Sequence, residues 1–164
     1  MLIVFSGLPG TGKSSIARKL ASELKAVWLR IDSIEQAIRE SGVVSGSLND
    51  AGYRAAYAVA QDNLSLGLSV VADSVNPWML TRNAWRGVGL RSNVAVLEVE
   101  TVCSDKEEHR RRIEARASDI AGLKLPNWQA VLERDYQPWD RDHLQVDTAK
   151  RSIADCVALI QAQL

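Results

Sequence analysis

The stretch Gly7-Leu8-Pro9-Gly10-Thr11-Gly12-Lys13-Ser14 constrains this chain more than any other. It fits the spacing G-x-x-x-x-G-K-[ST]. An apolar run, residues 2–6, precedes it, and residues 13–24 follow with Ile16, Leu20 and Leu24 at helical spacing. A strand, a glycine-rich turn and a helix in that order let the backbone curl until successive N–H groups converge on one point. The helix adds its positive dipole end and the lysine a compact positive charge. Such a turn is suited to cradling phosphates, and a turn without a ligand has no use for the complete Lys-Ser ending. The candidate nucleotide-binding residues are therefore Gly7, Leu8, Pro9, Gly10, Thr11, Gly12, Lys13, Ser14 and Ser15. Lys13 would serve the β- and γ-phosphates of ATP, and Ser14 would offer its hydroxyl to Mg²⁺.

Apolar runs and helical periods alternate along the rest of the chain. Residues 26–31, 69–72, 94–99 and 143–146 read as further strands. Residues 33–40, 50–66, 79–88, 104–118 and 152–163 read as helices, with one more between Pro126 and Pro138. Ser104-Asp105-Lys106-Glu107 has the form of a capping box. Strands separated by helices predict an α/β fold class: a P-loop NTPase fold, about five parallel strands with helices on both faces and an Arg-bearing lid. No repeat and no break in composition divides the chain. Residues 1–164 read as one domain, with the lid at about 104–140.

Lys+Arg and Asp+Glu balance at 20 each. No net field draws the chain to nucleic acid or to a membrane surface, so an anion must be held by local arrangement. The apolar opening Met1-Leu2-Ile3-Val4-Phe5 has no basic flank and reads as a strand rather than a leader, and no run is long enough to span a bilayer. Cys103 and Cys156 stand outside any Cys-x-x-Cys or Cys/His cluster, each beside a valine. Buried or half-buried thiols in a reducing compartment are expected, and hence a cytoplasmic protein.

Two carboxylates occupy strand ends. The third strand runs into Asp73, where an acid beside the phosphate loop can hold Mg²⁺ through water; alternatively it caps the next loop. The second strand runs into Asp32, which would face the γ-phosphate from the acceptor side as a base for a hydroxyl, or else cap the helix from Ser33. On the helix from Ser104, Arg112 and Arg116 lie four residues apart on one face with Arg111 beside them. They can neutralise charge spreading over a transferring phosphoryl group, or form a solvated face paired with Glu107, Glu108 and Glu114.

A GTPase reading fails: no Asn-Lys-x-Asp motif exists, and the one D-x-x-G, Asp119 to Gly122, follows a helix rather than a strand. With these residues in view, the chain resembles the small P-loop kinases that include zeta toxins, chloramphenicol phosphotransferase, gluconate kinase and the kinase domain of polynucleotide kinase. The likeness is greatest to the predicted kinases of AAA type. It is carried by the phosphate loop, Asp32, Asp73-Ser-Val-Asn76 with Arg82 downstream, the run Glu108 to Arg116, Pro126-Asn-Trp128, Tyr136-Gln-Pro-Trp139 and Asp147-Thr148. The resemblance implies Asp32 as base, Arg112 and Arg116 as lid arginines, and the turn after Asp147 near the adenine. The chain lacks a D-x-x-R after its second strand, since Ser33-Ile34-Glu35 follow Asp32. The resemblance therefore implies a reaction and leaves the acceptor open.

Five tryptophans stand in the chain. Trp28 and Trp85, in periodic segments, read as core. Trp128 and Trp139 are candidates for a pocket wall or for packing. Arg82 is a candidate for an anionic substrate group, or for pairing with a carboxylate. Asp32, Arg82 and Trp128 are the candidate substrate contacts, and His109 and His143 read as surface residues. The expected partner is a small molecule with a hydroxyl, and the expected activity is transfer of the γ-phosphate of ATP to it. The alternatives are a nucleotide-hydrolysing regulatory module, a zeta-toxin-like kinase or a polynucleotide 5′-hydroxyl kinase. The last would need a basic track that the balanced charge does not supply.

Overall fold

The computed structural model describes all residues from Met1 to Leu164. Its centre is β1 (Leu2–Ser6), five residues buried on both sides. Successive side chains of a strand point to opposite faces, and β1 divides itself accordingly. Ile3 and Phe5 pack with Ile16, Leu20, Val157 and Ile160 on one side. Leu2 and Val4 pack with Ala56, Ala60, Leu64 and Trp85 on the other. A strand without alternating polarity thus marks the middle of a sheet covered on both faces.

The other strands are β2 (Val27–Arg30), β3 (Val70–Asp73), β4 (Val96–Val102) and β5 (Leu144–Asp147), ordered β2-β3-β1-β4-β5. Every pairing is parallel. Helices α1 (Lys13–Leu24) and α7 (Ile153–Gln161) cover the first face. Helices α3 (Ala51–Ser65) and α4 (Met79–Arg91) cover the second, where Ala56 and Ala60 let α3 lie close to the sheet. Helices α2 (Ile31–Glu40), α5 (Lys106–Ala115) and α6 (Trp128–Leu132) stand around the C-terminal ends of the strands. No helix is long and apolar enough to cross a membrane.

Four expectations need correction. β2 stops at Arg30, and Asp32 lies in the first turn of α2 rather than on the strand. Hydrogen bonding to β3 ends at Arg30, and Ile31 turns inward as a buried helical residue. Ser104 is not the cap of α5. Asp105 accepts from the amides of Glu107 and Glu108, while Ser104 donates to Asp147. The capping box instead appears at α7, between Ser152 and Asp155. Finally α5 ends at Ala115, so Arg116 leaves the helix in extended conformation and does not share a helical face with Arg112.

Candidate active site

In open parallel sheets ligands sit beyond the carboxyl ends of the strands. Here β1 leads into the glycine-rich turn at that end. Gly7 has φ 135° and Gly10 φ 82°, values that favour glycine. A Cβ on Gly10 would also lie 2.6 Å from Cδ1 of Ile113 on α5, so this glycine lets the helix press onto the turn. The amides of Gly10 and Gly12 donate to no acceptor of the chain. Unspent donors in a curled turn at a helix start are what a phosphate requires. Thr11 hydroxyl bonds to the carbonyl of Leu8 at 2.9 Å and meets the Thr101 hydroxyl at 2.8 Å, which fixes the turn to β4.

Register brings the chemistry together. Phe5, Asp73 and Arg30 are neighbours across β1, β3 and β2 at the same height of the sheet. Asp73 is 2% exposed, and its Oδ2 has no hydrogen-bond partner. Burial raises its pKa, opposed first by the Lys13 ammonium and then by the Ser14 hydroxyl. Lys13 is pushed the other way: burial lowers its pKa, against the attraction of Asp73 and Asp32. A buried carboxylate oxygen left without a partner, beside a serine hydroxyl, is a donor set that suits Mg²⁺ held partly through water.

A cleft of about 1060 Å³ opens from this point between the turn, β2, α2 and the segment that follows α5. Nine of its lining residues are Lys or Arg, and three, Asp32, Glu35 and Asp119, are acids. Lys13, Asp32, Arg112 and Arg116 all lie on its wall. Arg116 is the uncommitted guanidinium: its Nε is buried without an acceptor, and burial lowers its pKa against the pull of Asp32. Arg112 is committed. Its Nε donates to Glu108 at 2.8 Å, and its two terminal nitrogens donate to the hydroxyl and carbonyl of Thr148, each at 2.9 Å. The two arginines thus have different places, although the sequence pairs them.

Two proposed substrate contacts lie elsewhere. Arg82 is 0% exposed and donates to the carbonyls of Asn76, Pro77, Gln137 and Pro138, with its guanidinium 4.2 Å over Trp139. It stitches the 137–139 segment to the start of α4, spending four of its five N–H donors on backbone carbonyls while fully buried. Trp128 is not on the cleft wall. It packs edge-on to His109, ring centroids 5.2 Å apart. Trp139 stacks on His143 at 4.1 Å, away from the cleft. Trp28, read as core, is half-buried and lines the cleft.

Other residues escaped the sequence reading. His109 is buried, not on the surface, and its Nε2 lies 2.8 Å from the carbonyl of Pro9, tying α5 to the phosphate turn. Arg134 lies close enough to Lys13 and Glu35 to act on the charge of both. In the run Glu133-Arg134-Asp135 it carries no signal beyond that of a solvated charge. Thr148 joins Arg112 to the carbonyl of Thr11, and only the resemblance had drawn attention to it. Cys103 is half-buried and Cys156 buried, and both are free thiols.

Comparison with known proteins agrees with this geometry. The AAA domain family model matches residues 2–134. Adenylyl-sulfate kinase of Synechococcus sp. (strain JA-3-3Ab) is 25% identical over 166 residues, spanning 98% of this chain and 91% of the relative. Among solved structures, the Mycobacterium tuberculosis APS kinase in complex with AMPPNP and APS superposes with a TM-score of 0.73 at 21% identity, over 98% of this chain and 95% of that one. Chaetomium thermophilum Kti12 in complex with ADP-AlF3 gives 0.72 at 21% identity, over 99% and 98%. The phosphate turn, the five-stranded parallel sheet and the family match converge: the chain belongs to the AAA domain family and is one of the small P-loop kinases.

Proposed function

We propose that the protein transfers the γ-phosphate of ATP to a hydroxyl of a small molecule. The observation that carries this reading is the extent of the cleft beyond the phosphate turn, past Asp32 to Glu35, Arg39 and Arg134. Pockets for one ligand run to roughly 300–1000 Å³; the cleft lies at the top of that range, and its part beyond the phosphate turn is the place this reading gives to an acceptor facing the γ-phosphate. A nucleotide switch would not need that space.

The amides from Leu8 to Ser15 and Lys13 hold the triphosphate, with Thr148 and the turn after Asp147 toward the base. Ser14 would hold Mg²⁺ directly and Asp73 would hold it through water, and the cation would supply positive charge against the phosphates. Asp32, exposed at the first turn of α2, accepts the proton of the attacking hydroxyl. Arg116 moves its free nitrogens onto the equatorial oxygens as charge spreads over them. The segment from about 104 to 140 acts as the lid of a single domain spanning 1–164. The acceptor is a small molecule rather than a nucleic acid, and free thiols and ATP use fit the cytoplasm.

Asp32→Asn tests the reading. It keeps size and hydrogen-bonding capacity but cannot take a proton. Calorimetry should show ATP bound as in the wild type. A screen of hydroxyl metabolites for acceptor-dependent ATP consumption should identify an acceptor to which the variant transfers on the order of a hundredfold more slowly. Transfer at the wild-type rate would reduce Asp32 to a first-turn carboxylate of α2.

A further inference from the structure

Arg30 ends β2 and projects into the cleft, where its terminal nitrogens donate to Asp119, 2.8 Å to Oδ2 and 2.9 Å to Oδ1. This two-pronged fit is how a guanidinium takes any planar or tetrahedral oxyanion. The partners are unequal. The Arg30 side chain is 15% exposed, that of Asp119 60%, and Asp119 arrives on the chain after α5. A fixed, largely buried cation is met by an exposed anion delivered from a loop.

The surroundings favour donors. Arg30, Arg116 and Trp28 all line the cleft, and the Nε of each arginine and the Nε1 of the tryptophan are buried without an acceptor. Arg30 lies against the Trp28 ring at 5.7 Å, which holds its plane in place. Arg18, Lys124 and Arg134 add positive charge to the same cleft and form no ion pair. In a chain of zero net charge, cations crowd one cleft in excess of what the triphosphate requires.

We propose that the acceptor carries an oxyanion group (phosphate, sulfate or carboxylate) that docks on Arg30 in the place Asp119 fills in the free protein. This rests on the phosphotransfer reading of the same cleft and names its acceptor class. Asp119 is an internal stand-in for the substrate's anion, and it competes for the same two nitrogens. Trp28 and Arg116 then donate to the oxygens that Asp119 does not reach.

The test needs no turnover. The full chain is loaded with Mg²⁺ and a non-hydrolysable ATP analogue, so that the phosphate turn is occupied. Inorganic phosphate, sulfate and acetate are then titrated separately by calorimetry, and the tightest binder identifies the group. Asp119→Asn removes the competitor and should tighten that anion on the order of tenfold. Arg30→Gln should abolish its binding, and Arg30→Lys, which keeps the charge but loses the fork, should weaken it about tenfold. Circular dichroism and analogue affinity serve as controls for folding. The proposal is overturned if no anion binds the loaded protein, if Asp119→Asn binds none more tightly than the wild type, or if both Arg30 variants keep wild-type affinity. Asp32→Asn transfer rates decide the phosphotransfer reading separately, so the two failures are distinguishable.

Discussion

Arg112 is bound to Thr148 through both terminal nitrogens, and the Thr148 hydroxyl in turn reaches the carbonyl of Thr11 at 2.9 Å. One threonine thus joins α5, the turn after β5 and the phosphate loop. Arg112 is held where it can cover bound nucleotide, while Arg116 is held by nothing. The two arginines should therefore fail differently. Arg112→Ala and Thr148→Val should raise the KM for ATP, roughly tenfold for the hydroxyl loss, with a smaller change in kcat. Arg116→Ala should lower kcat on the order of a hundredfold at nearly unchanged KM, because its contact forms only as charge develops. Steady-state kinetics with the identified acceptor decide the matter, and identical profiles for both arginines would contradict the assignment.

Lys13 and Asp73 face each other across the start of α1, and each alters the other's charge. Lys13→Ala should abolish turnover, a loss of roughly a hundredfold or more, with the circular dichroism spectrum unchanged. Asp73→Asn should weaken Mg²⁺-nucleotide binding far more than binding of metal-free nucleotide. Equal losses by calorimetry with and without Mg²⁺ would make Asp73 a structural carboxylate.

Arg82 should govern stability rather than catalysis. Replacing it with Met leaves four carbonyls of a packed segment without their donor, at a cost of roughly 3–5 kcal/mol. Urea unfolding should show that loss, and the folded fraction should bind ATP as the wild type does. A variant of wild-type stability with weakened acceptor binding would restore Arg82 to the substrate site.

Glu108 receives Arg111 in two bonds and Arg112 in one, and these hold its carboxyl down at about 2. A depressed carboxylate contributes stability above its unfolded value of 4.5 and loses it as pH falls from there toward 2. The seat of Arg112 should therefore survive to strongly acidic pH. Carbon-detected NMR titration should give a Glu108 midpoint near 2 in the wild type, rising toward the ordinary value in an Arg111→Gln, Arg112→Gln double variant. An ordinary midpoint in the wild type would show that the ion pairs do not form in solution.

The phosphate turn was legible because its function is local. Strand, glycines, lysine and helix start lie within 13 residues of one another, and backbone conformation alone aims the donors. The sheet was legible for a related reason: β1 is apolar at four successive positions, Leu2 to Phe5, and only a strand covered on both faces tolerates that. Where α5 ends was not legible. The Arg-rich period runs on through Arg116, but the helix stops at Ala115, and no glycine or proline marks the stop.

Sequence by itself determined the fold class, the nucleotide turn and the acid that ends β3, Asp73, since periodicity and φ requirements are properties of short segments. Only the tertiary structure decided which polar residue meets which. Arg82 and Arg116 are indistinguishable as letters, yet one is bonded to four backbone carbonyls and the Nε of the other lacks an acceptor. Arg30 and Asp119 are 89 residues apart in the chain and form a two-pronged pair. Long-range pairing depends on where the sheet register and the lid chain place each side chain, and a guanidinium's role follows from what is left for it to bind.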